Sequence, residues 1–150
     1  MVALLTLSQM QLIVLQLKER SDIAARQKAR INLERSASHL LAKGVVSPLA
    51  ACEGKYDYGM KSSMGCHFLY KKETYVYLWE DLGVMPCLDI RGVDKKIYSA
   101  QQGVLTVKAM SNHTTWMEMR IVTQARHVPC EKSVYRWTKP GIVSLRYDVS

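Results

Sequence analysis

Four residue groups in this 150-residue chain have the chemistry to do something beyond packing. The first is the set of four cysteines, Cys52, Cys66, Cys87 and Cys130. None forms a CxxC pair, so zinc-ribbon and thioredoxin spacings are absent. An even number spread through the C-terminal two thirds suits two disulfides and an oxidising compartment. The alternative is four buried, reduced thiols acting as small hydrophobes. Four cysteines allow three pairings; loop length leans toward Cys52 with Cys66 and Cys87 with Cys130.

The second group is the histidines and carboxylates. His39, His67, His113 and His127 are scattered, and Cys66–His67 reads better as a disulfide beside an exposed histidine than as a metal or nucleophile pair. Glu80 and Asp81 are adjacent at a strand end, a spacing that suits a turn more than a catalytic dyad. Ser8, Ser21 and Ser99 lie in no nucleophile elbow, and no GxxxxGK[ST] or GxGxxG is present. Asn112-His113-Thr114 matches a glycosylation sequon, a short pattern frequent by chance. The expectation is a non-enzyme with no cofactor and no small-molecule substrate.

The third group is basic. Lysine and arginine number 21 against 13 acids, giving a net charge of +8 and a pI near 9.4. That balance favours nucleic acid, anionic lipid or acidic partners. Lys71, Lys72, Lys95, Lys96 and Lys108, with Arg126, Lys132, Arg136 and Lys139, sit among Tyr and Trp residues. Such a surface could hold DNA through phosphates and stacking; dispersed, solvated charge is the plainer reading.

The fourth is the opening stretch, whose chemistry is apolar. Residues 1–17 carry no charge, and Leu4, Leu5, Leu7, Leu12, Ile13, Val14, Leu15 and Leu17 supply a membrane- or filament-core surface interrupted by Gln9, Gln11 and Gln16. No basic residue precedes this run and no A-x-A site follows, so a cleaved signal peptide does not fit. The run is slightly short for a spanning helix. Lys18–Lys43 follows without Gly or Pro and carries seven basic and three acidic side chains. Ala25, Ala29, Leu33, Ala37, Leu40 and Leu41 recur at helical spacing and mark a face for packing on a head domain. A continuous helix over 1–43 is on the order of 60 Å long, too long for a small head to bury. The basic cluster after the apolar run conflicts with an extracytoplasmic head under the positive-inside rule. Residues preceding Met1, with basic side chains of their own, would resolve that conflict.

These residues have to be positioned by simple elements. Residues 44–63, with a proline and three glycines, read as a connector. From 64 to 150 the pattern is strand-like. CHFLYK and TYVYLW flank KKET as a hairpin, and WEDLGVMPCLDI breaks at Gly83 and Pro86. KIYSA, GVLTVKAM, TWMEMRIVTQA, SVYRW and IVSLRYDV follow, with SNHT as a turn. Met117, Met119 and Ile121 alternate with Trp116, Glu118 and Arg120, the mark of a sheet with one dry face. The class is α+β: a long N-terminal helix packed on an antiparallel β-sheet head.

In this arrangement the chain resembles the type IV pilin superfamily, and more narrowly the minor pilins and pilus-assembly proteins of gammaproteobacteria. MVALLTLSQMQLIVLQ runs unbroken into KERSDIAARQKARINLERSASHLLA, followed by a cysteine-bearing sheet ending GIVSLRYDV. GCHFLY, EDLGVMPCLDI and YSAQQGVLTVKAM look like head-domain stretches of assembly-type minor pilins. The family's glycine-plus-phenylalanine processing site and its following glutamate are not in this sequence, which again points to residues before Met1. The resemblance implies a structural subunit of a type IV pilus or pseudopilus, with other pilin subunits and the assembly machinery as partners. It places the helix in the inner membrane with a periplasmic head, or in a cell-surface pilus. The other reading is a membrane-anchored or secreted disulfide-bonded binding module, with DNA as ligand.

Overall fold

The computed structural model describes residues 2–42, 52, 54, 65–111, 115–131 and 134–148, with helix side chains from Gln9 onward. Among these described residues one helix, α1 (Val2–Ala42), precedes six strands: β1 (Cys66–Tyr70), β2 (Glu73–Arg91), β3 (Ile97–Ala109), β4 (Trp116–Ala125), β5 (Arg136–Thr138) and β6 (Gly141–Asp148). The sheet order is β1-β2-β3-β4-β6, antiparallel throughout, with β5 added in parallel alongside β2 at Leu88–Ile90. The expected α+β arrangement is the observed one. Most of the expected connector lies outside the described residues, as do Asn112–Thr114 of the expected turn and its sequon.

Side-chain alternation decides which face of the sheet is dry. Tyr75, Tyr77 and Trp79 of β2, Leu105, Val107 and Ala109 of β3, and Met117, Met119 and Ile121 of β4 all point to one face and join the main core. The helix reaches that face with Leu33, Ala37 and Leu40, and Leu41 packs against its margin. Each large side chain so buried contributes about 1.5–3 kcal/mol. Ser36 is also fully buried, because its hydroxyl donates to the Leu33 carbonyl at 2.8 Å and needs no other acceptor. A second, smaller cluster of Ile90, Ala100 and Val122 lies on the opposite face of the sheet, toward its other end.

The expected head-packing stripe begins later than its sequence pattern. Ala29 is half-buried and Ala25 is exposed, so the helix leaves the sheet about one turn before Leu33. A clamp marks the departure: Arg30 pairs with Glu34 at 3.1 Å, and its guanidinium lies 4.4 Å from the centre of the Tyr147 ring. The Tyr147 hydroxyl donates to the same Glu34 carboxylate. That bond, with help from Arg30, holds the Glu34 carboxyl below its usual range, and burial beside Glu34 pushes the Tyr147 phenol up.

The expected break at Gly83 and Pro86 is not a break. β2 continues to Arg91 by absorbing extra residues as bulges. From Asp81 to Gly83 it advances two residues while β3 moves one, and from Met85 to Asp89 it advances four against one. Gly83 accepts the positive φ of 83° that the first bulge demands. Asp81 caps that bulge, accepting from the Gly83 N–H and from the Gln101 amide. Pro86 lies where no ladder hydrogen bond is required of it.

The predicted hairpin is present, with Tyr70 opposite Glu73 across a two-residue turn. Lys71 and Lys72 occupy it at φ of 48° and 70°, the combination of a type I′ turn. Neither residue suits that region, which favours Asn or Gly. We therefore expect Lys72→Gly to stabilise the protein by about 0.5–1 kcal/mol. Urea denaturation reads this directly; a loss of stability would show that the turn is not of this type.

The sheet's edges differ. The outer edge of β2 is covered in sections by β1, by the backbone of Cys52 and Gly54 bonding to Trp79 at 2.9 and 2.8 Å, and by β5. β6, the last strand on the other side, is exposed along almost its whole length.

Candidate assembly surface

The helix between Gln9 and Lys28 touches no part of the core, and every described side chain in it is exposed. Met10, Leu12, Ile13, Val14, Leu15, Leu17 and Ile23 are all more than half exposed. These residues point around the whole circumference, as expected where Leu, Ile and Val are contiguous and not spaced in one stripe. Leu4, Leu5 and Leu7 have no described side chains. Among the described residues no helix, this half of α1 included, is long and apolar enough to cross a membrane. The glutamines at 9, 11 and 16 dilute its apolarity, and Lys18, Glu19 and Arg20 end it.

Both disulfides form, Cys52 with Cys66 and Cys87 with Cys130, and no cysteine is free. The first ties the segment after the helix to the start of β1. The second ties the wide bulge of β2 to the segment that follows β4. That segment is held again by Ser99, which receives the Val128 N–H at 2.8 Å and donates to the Val128 carbonyl at 3.3 Å. Ser99 is thus a buried structural residue.

The described histidines stay apart. His39 packs on Tyr70 at 5.1 Å between ring centres, and His67 is exposed on β1 beside a disulfide-bonded cysteine. His127 lies 4.0 Å from the buried Asp89 carboxylate, and His113 falls outside the described residues. Among the described residues no cluster of three or more His, Cys, Asp or Glu side chains could hold a metal ion. A cavity of about 210 Å³ opens where the helix lifts from the sheet, lined by Ala25, Ala29, Leu33, Tyr75 and Thr115 among others. The small side chains of Ala25 and Ala29 leave that gap, which is why the stripe's first two residues do not serve as packing.

The five lysines singled out for nucleic-acid contact do not form one surface. Lys71, Lys72 and Lys108 lie at the β1–β2 turn end, since Lys108 pairs with Val76. Lys95 and Lys96 belong to the β2–β3 turn at the opposite end. The intervening ladder of β2 and β3, from Tyr75 to Arg91, spans about 40 Å. Sequence reasoning passed over a different grouping. At the Lys95 end, Arg91 lies 5.3 Å from the Trp137 ring centre, and the two line an open cleft of about 490 Å³ with Thr138, Lys139 and Pro140. RWTK held part of the signal, a tryptophan flanked by cations. Arg91 is 46 positions away in the chain and arrives only through the parallel β2–β5 pairing.

No protein-family model, curated protein or solved structure matches the chain.

Proposed function

We propose that this protein is a structural subunit of a pilus-like filament, a minor pilin or pilus-assembly component, and that it works by helix packing. The observation that carries the reading is the apolar rod: seven large hydrophobic side chains between Met10 and Ile23 stand more than half exposed around a helix whose other half is docked. Exposed apolar surface on this scale is stabilised by association, and a rod apolar on all sides is best covered by several neighbours at once. Copies of the same helix, or helices of related subunits and of the assembly machinery, are the partners this predicts. The two disulfides suit a head in the periplasm or at the cell surface, where they persist. In this role the head sets the spacing of contacts and the rod supplies the cohesion.

Sedimentation of the full chain against a Leu12→Glu, Leu15→Glu double variant tests this. Both residues are exposed, so the head should keep its melting temperature. The unaltered chain should form concentration-dependent species larger than a monomer, and the variant should not. Unchanged association in the variant would remove the rod as the assembly surface. A collapse of the head's melting transition would make it part of a core instead.

A further inference from the structure

The Trp137 cleft is separate from the rod and lies on the sheet. Trp137 is 54 % exposed, whereas Trp79 is 8 % exposed and belongs to the core. Arg91 lies over part of the Trp137 ring, and more than half of the indole remains open to solvent. Its position is nevertheless fixed. β5 pairs in parallel with Leu88–Ile90, and the Cys87–Cys130 bridge fastens the preceding segment to the same stretch of β2. The ring is therefore a fixed platform, with the Arg91 guanidinium over one face, the rest of the ring open, and Lys139 on the cleft wall.

Charge extends this platform. Arg91, Lys95, Lys96, Arg126, Arg136 and Lys139 are all exposed and belong to this end of the sheet. Of the nearby acids, Asp94 is engaged by the Tyr98 hydroxyl at 2.8 Å, with Lys96 at 3.9 Å, and Asp89 is buried. Glu131 is exposed beside Cys130. The balance is strongly positive. The cleft walls supply cations and one hydroxyl, from Thr138, but no carboxylate or amide to receive the many hydroxyl donors of a neutral sugar. A flat aromatic platform flanked by cations matches a ligand with alternating planar rings and anionic groups. In a duplex the bases are already stacked on each other; in a single strand they are free to stack on an indole.

We propose that the Arg91–Trp137–Lys139 cleft binds single-stranded nucleic acid, with a base stacked on Trp137 and flanking phosphates on Arg91 and Lys139. The remaining cations of this end of the sheet steer the strand toward the cleft and add phosphate contacts.

The test titrates the full-length protein with a dT12 oligonucleotide and follows tryptophan fluorescence, with rU12, a 12-base-pair duplex and heparin in parallel. Quenching should saturate with dT12 and rU12, and affinity should fall about 20-fold between 50 and 200 mM salt if three phosphates are neutralised. Trp137→Ala should weaken binding about tenfold or more at unchanged melting temperature, and Trp137→Phe should recover much of that loss. Arg91→Gln with Lys139→Gln should flatten the salt dependence, whereas Lys71→Gln with Lys72→Gln, at the far end, should leave binding unchanged. Equal binding by Trp137→Ala and the unaltered chain would overturn the proposal. So would binding of heparin or duplex in preference to dT12, which would make the patch a generic polyanion surface. Both outcomes leave the assembly reading untouched.

Discussion

Replacing Cys87 and Cys130 together with serine should lower the free energy of unfolding by about 4 kcal/mol, the chain-entropy value for a loop of 43 residues. The Cys52–Cys66 bridge, closing 14 residues, should contribute about 3 kcal/mol by the same reasoning. The longer bridge has a second role that entropy alone does not count. It anchors the segment that carries the Val128–Ser99 hydrogen bonds and leads into β5, so its removal frees β5 from β2. Urea denaturation of the two double variants checks the magnitudes, and hydrogen exchange at Arg136–Thr138 checks the local effect. A loss below about 1 kcal/mol for the Cys87/Cys130 pair, with β5 still protected, would mean that the bulge and strap hold themselves.

Gly103→Val should be nearly as damaging, and for a packing reason. Gly103 lies opposite Asp81 on β3, and the Trp79 indole crosses diagonally over it on the dry face of the sheet. A Cβ added there would fall inside the van der Waals envelope of the indole's six-membered ring. Trp79 has little room to yield, since it is buried in the main core and both its N–H and its carbonyl are engaged by Cys52 and Gly54. Overpacking of this sort costs about 1–3 kcal/mol and sometimes more; with a β-branched residue against an aromatic ring the upper end is expected. Thermal melting with near-ultraviolet circular dichroism reads both stability and the Trp79 environment. Adding Trp79→Phe to Gly103→Val should recover part of the loss, because the two positions share one space. Strict additivity would show that the ring does not lie over the glycine.

The elements that sequence reasoning located correctly are those set by local chemistry. The helix follows from 41 residues without Gly or Pro, and the Lys71–Lys72 hairpin from two aromatic-rich runs around a polar pair. The dry face of β4 follows from strict alternation, which leaves Met117, Met119 and Ile121 buried and Arg120 exposed. What was not legible depends on partners distant in the chain. Whether Gly83 and Pro86 end a strand or bulge out of one is decided by β3, which keeps pairing beyond them as far as Arg91. The parallel seating of β5 depends on the Cys130 anchor, and the Trp137 cleft depends on that seating. The helix's exit at Ala29 reflects a gap that the small side chains of Ala25 and Ala29 do not bridge to Tyr75 and Thr115, a distance no helical period contains. The lysines failed as a patch because proximity in sequence to aromatic residues says nothing about which end of a sheet a turn occupies.

The docked and undocked halves of α1 also differ in lifetime. Leu33–Leu40 can open only when the head opens, so their amides should exchange on the timescale of global unfolding. Gln9–Lys28 has no such tether. It is helical because the docked turns supply the nucleus from which it propagates, and each turn added outward is only marginally favourable in water. Fraying therefore runs inward from the far end, and a neighbour that covers the rod also halts the fraying. Each contact made along the helix prepays part of the ordering entropy of the next. Growth of an assembly on such a rod would be cooperative even if every side-chain contact had the same intrinsic strength.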